Sequence, residues 1–279
     1  MRRAVIFASL AVLAVSCDEE TLKQQASVQG AIIGGTVDNG HPAVGAILMT
    51  SSQGQGLCTG TLITPKIVVT AAHCTNGEGG APQEWYTGTN MDSGTAHPVK
   101  AYEYNTAYSP SANNGSGIHD IGVVVLLSSV TNITPMAYRQ TSITGMDGQS
   151  VTFVGYGETN AGDSNSVGTK YKVTTTVSQV DAQGIWNYVT GSIVKNTCNG
   201  DSGGPGLMTF NGVETVVSVT STGDQYCQQE GWNTRVDANL DWLNKMIAKY
   251  DPGSVTTPVC GNGTCESGET AASCPADCK

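Results

Sequence analysis

The sequence C-N-G-D-S-G-G-P occupies residues 198–205 and decides the fold. It places Ser202 in a glycine-rich turn, where a hydroxyl lies beside several backbone N–H groups. A serine hydroxyl is a weak nucleophile at neutral pH, so a base must take its proton as it attacks. This stretch therefore predicts half of an acyl-transfer site and requires the other half elsewhere in the chain.

Two upstream patches supply the missing groups. His73 lies in T-A-A-H-C at residues 70–74, and an imidazole is a suitable base because its pKa lies near neutral pH. Asp120 lies in H-D-I-G-V at residues 119–123, and a buried carboxylate fixes the imidazole tautomer and stabilises the imidazolium. A core histidine, a strand-end aspartate and a turn serine are the structural alternatives, and all three would have to occur together by coincidence.

The three patches, in the chain order His, Asp, Ser, resemble the chymotrypsin/trypsin family of serine proteases over residues 32–250, as an exported bacterial member. The resemblance implies an all-β fold of two six-stranded antiparallel β-barrels, with the active site between them and a C-terminal helix. It also implies that Ser202 is the nucleophile, His73 the general base and then acid, and Asp120 the orienting carboxylate.

The same resemblance assigns the residues that support the triad. Gly200 and Ser202 would direct their backbone N–H groups at the oxyanion that develops on the substrate. Cys58 would bond to Cys74 next to the base, and Cys198 to Cys227 next to the nucleophile. No cofactor and no metal is expected.

Ile32-Ile33-Gly34-Gly35 resembles the new N-terminus that family members gain when a pro-segment is removed. The freed ammonium of Ile32 would then pair with Asp201, because an isolated buried carboxylate requires a cation. The sequence thus predicts a zymogen that is cut between Ala31 and Ile32. The family usually has Arg or Lys before the cut, so Ala31 indicates a different activating protease or self-cleavage.

The resemblance also places a specificity pocket. Asn196, six residues before Ser202, would lie at its base, where a carboxylate would select Lys or Arg. Because asparagine is neutral, we expect cleavage after uncharged, small-to-medium side chains. The remaining walls are assigned by position relative to the cysteines and the G-W-N-T-R-V stretch: Thr197, Ser218, Thr220 and Gly231.

Composition and patterning agree with an exported β-rich protein. The chain has 279 residues, 35 glycines, 13% charged residues and a net charge of −10, which argues against nucleic acid as a partner. Short apolar runs between turn residues predict many short strands, including Leu62–Thr70 and Val213–Val219.

One helix is predicted near the end of the protease-like region, with Asp237 as its N-cap. Its apolar face follows helical spacing: Leu240, Leu243 and Ile247.

The N-terminus reads as an export signal. Residues 1–16 carry two arginines and an apolar run too short to span a bilayer. Small residues precede Cys17, which is either lipidated, as in a bacterial lipoprotein, or removed with the signal. Either event leaves eight of the nine cysteines, an even number suited to disulfides. The protein is therefore expected to be secreted or lipid-anchored at the cell envelope, with a membrane contact only through Cys17.

The chain divides into five predicted segments. A pro-segment or tether at residues 17–31 follows the signal, the protease domain covers 32–250, and 251–259 is a linker. Residues 260–279 hold four cysteines in a separate module whose stability must come from disulfides. Metal binding by these cysteines and a weak calcium site are the alternatives for the module.

The predicted function is a serine endopeptidase that acts on proteins or peptides through an acyl-enzyme. An activating protease is a further expected partner. The alternative is a protease-like binding protein that is catalytically silent, although such proteins usually lose a triad residue or the glycine run.

Overall fold

The computed structural model describes residues 32–52, 54–111, 117–190, 192, 194–254, 271 and 278. Predictions for the signal peptide, Cys17, the 17–31 segment, most of the linker and most of the 260–279 module lie outside the described residues.

The first half of the chain forms a closed six-stranded antiparallel barrel. Its strands are β2 (Val44–Ser51), β3 (Gly54–Leu62), β4 (Ile67–Thr70), β5 (Ala81–Thr87), β6 (Thr95–Tyr104) and β7 (Gly122–Leu126). Around the barrel they follow the order β2-β3-β4-β7-β6-β5. The two central strands β4 and β7 are fully buried runs rich in valine, as β-branched side chains pack well between neighbouring strands.

The second half forms a nine-stranded sheet. Its long strands are β9 (Ser150–Gly155), β10 (Tyr171–Thr176), β12 (Gly184–Tyr188), β13 (Pro205–Phe210), β14 (Val213–Gly223) and β15 (Glu230–Arg235). Short pieces flank them: β1 (Thr36–Val37) pairs with β10, β8 (Ala137–Tyr138) with β14, and β11 (Gln179–Val180) with β12.

A short connection joins the two ends of the second sheet. β10 pairs with β9 at one end of the sheet order, and β11 pairs with β12 at the other. Only Val177 and Ser178 separate β10 from β11, so one run of chain joins both ends. The predicted all-β fold is confirmed, with one closed barrel and a second sheet whose two ends are joined by this connection. We refer to this second sheet as the second barrel.

A shared hydrophobic core fixes the two barrels against each other. It joins side chains of β4 and β7, among them Val69 and Val123, to Leu207 and Val219 of the second barrel. The helix α1 (Leu240–Tyr250) adds to this core through two fully buried side chains, Leu243 and Ile247. Each barrel also has a core of its own. The loops at the barrel interface are therefore held between two rigid bodies.

The predicted C-terminal helix is present, but its start differs from the prediction. Asp237 begins a short 3-10 turn, and Asn239 stands at the N-cap of α1. The carboxylate of Asp237 does not cap the helix and instead forms an ion pair with Arg235. Both side chains are buried, and a buried charge requires an opposite charge beside it. None of the helices in the described ranges has the length and apolar character needed to cross a bilayer.

Candidate active site

Strand pairing brings His73 and Asp120 together. Thr70 at the end of β4 pairs with Gly122 at the start of β7. Because the two strands are antiparallel, the chain that leaves β4 and the chain that enters β7 meet at the same edge of the barrel. His73 lies three residues after Thr70 and Asp120 two residues before Gly122. The pairing register thus places the imidazole beside the carboxylate.

Asp120 is almost fully buried and accepts three hydrogen bonds. The backbone N–H of His73 donates to Oδ1 at 2.9 Å, and Nδ1 of His73 lies 2.8 Å from Oδ2. The hydroxyl of Ser221 donates to Oδ2 at 2.6 Å. Burial raises the pKa of Asp120, but the charge and hydrogen bonds of His73 and the Ser221 bond outweigh it and hold that pKa below its usual range. The group is thereby kept ionised next to the imidazole.

Ser221 was not identified in the sequence. It lies in β14, near the point where the pairing register with β15 shifts between Thr220 and Thr222. A bulge of this kind re-aims side chains, so alternation along the strand does not predict that Ser221 faces Asp120. The one signal in the sequence is the run of hydroxyl side chains in β14, since a hydroxyl can donate a hydrogen bond to a buried carboxylate.

The pKa of His73 is raised above its ordinary value. Burial favours the neutral imidazole, but the charge and hydrogen bond of Asp120, helped by the charge of Glu78, outweigh that effect. With Nδ1 engaged by Asp120, Nε2 is the nitrogen left to exchange a proton with a substrate or a hydroxyl. The imidazole of His73 is therefore suited to accept a proton near neutral pH and to give it back.

Ser202 lies across a common wall from His73. One cavity is lined by His73, Asp120, Ser221 and Thr222, and a neighbouring cavity by Ser202 together with the same Ser221 and Thr222. The carbonyl oxygen of Ser202 also lies 3.7 Å from the sulfur of Cys74, the residue after His73. The structure thus brings the three residues predicted from the sequence motifs into one region.

The loop before Ser202 presents two backbone donors. Among the described residues, neither the N–H of Gly200 nor that of Ser202 donates to a protein acceptor, so both are available to a ligand oxygen. Gly200 has φ +91°, and a Cβ there would lie 2.8 Å from Cα of Gly157, so only glycine fits. Two free donors on either side of Asp201 in a turn are suited to stabilise an oxyanion.

Two disulfides hold these loops. Cys58 of β3 is bonded to Cys74, and Cys198 is bonded to Cys227 in the loop after β14. The donor atoms of Cys58, His73 and Cys74 lie within 4.8 Å of one another, but the sulfur atoms are bonded to each other and are not thiolates. The bonds thus join His73 to the first barrel and the Ser202 loop to the second.

The cavity next to Ser202 has a volume of about 150 Å³ and a polar lining. Thr197 and Thr220 line it, as the sequence predicts, together with residues that the sequence assignment missed: Ser221, Thr222, Gly223, Asp224 and Gln225. Ser218 does not line it, because its hydroxyl lies inside the second barrel against Gly206. The residues that form this wall of the cavity, 221–225, thus follow Ser218 by three to seven positions.

Asn196 and Gly231 lie beneath the cavity instead of on its surface. The side-chain amide of Asn196 donates to the carbonyl of Glu230 at 2.9 Å, and its oxygen accepts from Asn187 at 2.9 Å and from the N–H of Thr197 at 3.0 Å. A Cβ at Gly231 would come within 2.8 Å of that oxygen. Asn196 is therefore a neutral support for the cavity floor, held by three hydrogen bonds of its side chain.

Asp224 shapes the outer wall. Its two carboxylate oxygens accept four backbone N–H bonds, from Tyr226, Gln228, Gln229 and Glu230, at 2.7–3.2 Å. Burial works against ionisation, but these bonds outweigh it and lower the pKa of Asp224. The negative charge at the cavity mouth is thus largely committed to the loop's own backbone.

Asp201 is fully buried without a cation. Its oxygens accept N–H bonds from Gly157 and Cys198 at 2.8 Å each, and no described Lys, Arg or His forms an ion pair with it. Burial raises the pKa of Asp201 to about 7, against the effect of the two hydrogen bonds, and the nearby charge of Glu158 raises it further. The site therefore favours a neutral carboxyl or a positive partner.

Ile32 is fully buried in the core of the second barrel. The next residue, Ile33, forms an isolated bridge with Asn196, so this segment runs beside the cavity floor. Ile32 has φ +56°, a left-handed conformation that costs a β-branched residue on the order of 1–3 kcal/mol. The segment is thus buried in the second barrel and strained at Ile32.

The remaining histidines have structural partners. His41 is buried between Asp38 at 2.7 Å and Glu214 at 3.1 Å. The ring of His97 lies tilted against that of Trp85, with 5.3 Å between the centroids, and Nδ1 of His119 lies 2.7 Å from the side-chain oxygen of Asn239. None of these three side chains hydrogen-bonds to His73, Asp120 or Ser202 within the described chain.

Comparison with known proteins defines the class. The trypsin family model matches residues 32–243, which is most of the chain, so the protein belongs to the trypsin family. The structure agrees, because a closed barrel, a second sheet and a C-terminal helix surround the site as this fold requires. The family of serine proteases expected from the sequence is thereby confirmed.

Individual relatives are distant. The chain is 30% identical over 231 residues to phenoloxidase-activating factor 1 of Holotrichia diomphalia, which covers 69% of this chain and 62% of that protein. It is 28% identical over 229 residues to a trypsin of Saccharopolyspora erythraea, covering 77% and 98% of the two chains. It is also 27% identical over 239 residues to glucanase inhibitor protein 1 of Phytophthora sojae, covering 77% and 88%. Since the relatives come from different organisms, they assign no source to this chain.

Proposed function

We propose that this protein is a serine endopeptidase in which Ser202 is the nucleophile, His73 the general base and Asp120 its orienting carboxylate. The observation that carries the proposal is the chain of hydrogen bonds from Ser221 through Asp120 to His73, which ends at the wall shared with Ser202. Membership of a family that contains proteases supports it.

Each step has an assigned group. His73 Nε2 accepts the hydroxyl proton as Ser202 Oγ bonds to the substrate carbonyl carbon, and the carbonyl becomes an oxyanion held by the N–H groups of Gly200 and Ser202. The imidazolium then gives its proton to the leaving amine, and the peptide bond breaks. Water, deprotonated by His73, releases the acyl group and returns the hydroxyl to Ser202.

Cleavage after uncharged, small-to-medium side chains follows from the cavity. The cavity has a volume of about 150 Å³, the neutral Asn196 supports it from beneath, and Asp224 is the single acidic residue of its described lining. The oxygens of Asp224 are already held by four backbone N–H bonds, so they would offset the lost hydration of a lysine or arginine side chain only in part. A panel of peptide substrates differing only before the cut bond tests this preference, and faster cleavage after Arg would overturn it.

Activation by cleavage between Ala31 and Ile32 has two supports. Asp201 is buried without a cation among the described residues, and a new ammonium at Ile32 would supply one. Cleavage also removes the preceding carbonyl from Ile32, which relieves the left-handed strain. N-terminal sequencing of the active protein is expected to begin at Ile32, and any other start would contradict this route. An activating protease is a further proposed partner.

We extend the proposal to the rest of the chain. We propose that the chain has the five segments described above and is an exported bacterial protein, either secreted or attached to lipid at Cys17. The N-terminal sequence and the even number of cysteines that remain without Cys17 support this. The two disulfides agree with an oxidising compartment. Mass spectrometry of the exported protein distinguishes a lipid-modified Cys17 from a chain that begins beyond it.

A catalytically silent binding protein is the second candidate, because one relative is named an inhibitor. A fluorophosphonate probe separates the two. The mature protein is expected to be labelled at Ser202, and Ser202→Ala to remove the label while leaving the fold intact. A folded, mature protein that is not labelled would favour the binding role.

A further inference from the structure

Thr59 connects the first barrel to the nucleophile loop of the second. It lies on β3 and is fully buried. Its backbone N–H donates to the carbonyl of Ser202 at 2.8 Å, and its own carbonyl accepts from the hydroxyl of Thr70 at 2.8 Å. The backbone of Thr59 is therefore held by one hydrogen bond to each barrel, independently of its side chain.

The hydroxyl of Thr59 makes two more contacts. It donates to the carbonyl of Gly200 at 2.9 Å and accepts from the N–H of Tyr156 at 3.1 Å. A hydroxyl has a single proton, so the Tyr156 bond leaves that proton for Gly200. The side chain thus reaches across the barrel interface and binds the loop two residues before Ser202.

This contact bears on an oxyanion donor because Gly200 has unusual backbone freedom. Its φ of +91° is a region in which glycine rotates at low cost. The peptide before Gly200 is held by the N–H of Glu158, which donates to the carbonyl of Asn199 at 2.7 Å. The Gly200 N–H lies in that same planar peptide. The next peptide is held by the Thr59 hydroxyl at the Gly200 carbonyl and by the Asp201 N–H, which donates to the carbonyl of Cys198 at 3.0 Å. Anchoring both planes restricts the two backbone rotations at Gly200 that would re-aim its N–H.

We propose that Thr59 is a positioning residue, whose hydroxyl holds the Gly200 carbonyl so that the Gly200 N–H stays aimed at the substrate oxyanion. The inference rests on the proposed protease function and deepens it. Thr59 touches no substrate, so its effect is expected in the transition state, where the oxyanion is fully formed, and not in substrate binding.

The chain provides a matched control two residues along the same strand. Thr61 is also on β3 and fully buried, and successive odd residues share a face. Its hydroxyl has no hydrogen-bond partner within the described part of the chain. Thr61→Val therefore removes a buried hydroxyl from the same strand without removing a contact to the Ser202 loop.

The test compares mature Thr59→Val, Thr59→Ser and Thr61→Val on one peptide anilide. Removing an oxyanion donor outright costs about 10²–10³ in kcat, so misaiming one is expected to lower kcat roughly tenfold to hundredfold. Thr59→Val should show this loss with KM within about threefold, while Thr59→Ser, which keeps the hydroxyl, and Thr61→Val stay within about threefold of wild type.

A peptide aldehyde gives a second readout. It adds to Ser202 as a hemiacetal whose oxygen occupies the oxyanion position, so its Ki should rise in Thr59→Val by the same factor as kcat falls. Unchanged kcat and Ki in Thr59→Val, or equal losses in Thr61→Val, would overturn the proposal. If Thr59→Val does not fold, Thr59→Ala against Thr59→Ser makes the same comparison.

Fluorophosphonate labelling separates this inference from the proposed function. A mature wild-type protein that is not labelled contradicts the protease function and the Thr59 role with it. A wild type that is labelled, with Thr59→Val labelled at the same rate, contradicts the Thr59 role alone. The expected result is rapid labelling of wild type and Thr61→Val, and at least tenfold slower labelling of Thr59→Val.

Discussion

At the scale of single residues, the site is held by Asp120. Its two oxygens accept three hydrogen bonds, two from His73 and one from Ser221, in a position with almost no exposure. A buried carboxylate with so many donors has little freedom to rotate, and its ionised form is favoured. Both the tautomer and the direction of the imidazole follow from this arrangement.

Ser221→Ala is expected to lower kcat/KM about ten- to hundredfold. The hydrogen bond to an ionised group that it removes is worth roughly 1.5–3 kcal/mol, and not all of this is felt in the transition state. Its loss should also raise the pKa of Asp120. Steady-state kinetics on a peptide anilide provide the measurement, with Ser178→Ala, a hydroxyl outside the site, as the control. Wild-type activity in Ser221→Ala would contradict the assigned role.

The pH profile should follow His73. The base is active when neutral, so kcat/KM is expected to fall as pH drops through the raised pKa of His73, with a midpoint above the ordinary value of 6.5. Because the charge of Glu78 contributes to that rise, Glu78→Gln should move the midpoint to lower pH. A profile of kcat/KM against pH for both proteins measures it, and a midpoint that moves upward in the variant would be inconsistent with this electrostatic explanation.

The sequence predicts the site residues that stand in recognisable motifs and misses those that strand pairing brings to the site from distant parts of the chain. His73, Asp120 and Ser202 each stand in a motif that the chemistry itself explains. Ser221 and Thr59 stand in ordinary strands, and their partners are more than 100 residues away in the chain. Ser218 was assigned to the pocket wall by its position relative to the cysteines, which does not fix which face of β14 a side chain occupies; its hydroxyl lies inside the second barrel against Gly206.

At the scale of elements, α1 contacts both halves of the molecule. Leu243 and Ile247 enter the core shared by the barrels, and beyond them Lys249 and Tyr250 both bind Glu103 of β6. The apolar spacing predicted this buried face correctly. The contacts to Glu103 depend on where β6 lies in space, and no local pattern indicates that.

Leu243→Ala is expected to destabilise the protein by about 2–5 kcal/mol, because it leaves a cavity in a fully buried position. Urea unfolding measures the free energy. Lys245→Ala, on the exposed face of the same helix, is the control and should change it by less than about 0.5 kcal/mol. Equal effects of the two substitutions would show that α1 does not contribute to the shared core.

At the scale of the whole molecule, two barrels hold the two halves of the site, and the Ile32 segment joins them. β1 pairs with β10, Ile32 enters the core of the second barrel, and β2 begins the first. Charge composition and turn patterns predict a β-rich chain, but the closure of the first barrel and the strand order of the second depend on pairing between distant strands. The family resemblance, not the periodicity, is what made the two-barrel architecture predictable.

The uncleaved protein should show a distinctive pH dependence from Asp201. Its folded pKa of about 7 lies above the ordinary 3.8, so between these values the folded chain holds a proton that the unfolded chain has lost. Stability should therefore fall as pH rises from about 4 to 7, by up to about 4 kcal/mol from this group.

The measurement uses the Ser202→Ala precursor, which cannot cleave itself, with and without Asp201→Asn. The difference in free energy of unfolding between the two proteins is expected to change with pH across this window. After cleavage at Ile32 the ammonium should pair with Asp201, and the dependence should largely disappear. A difference that is constant with pH in the precursor would mean that Asp201 is already ionised and paired.

The most direct measurement of the central claim is a pre-steady-state experiment on the mature protein with an activated ester. We predict a burst of released alcohol equal to about one equivalent per active site, and mass spectrometry of the quenched protein should find the acyl group on Ser202. Release without a burst, or an acyl group on any residue other than Ser202, would contradict the account.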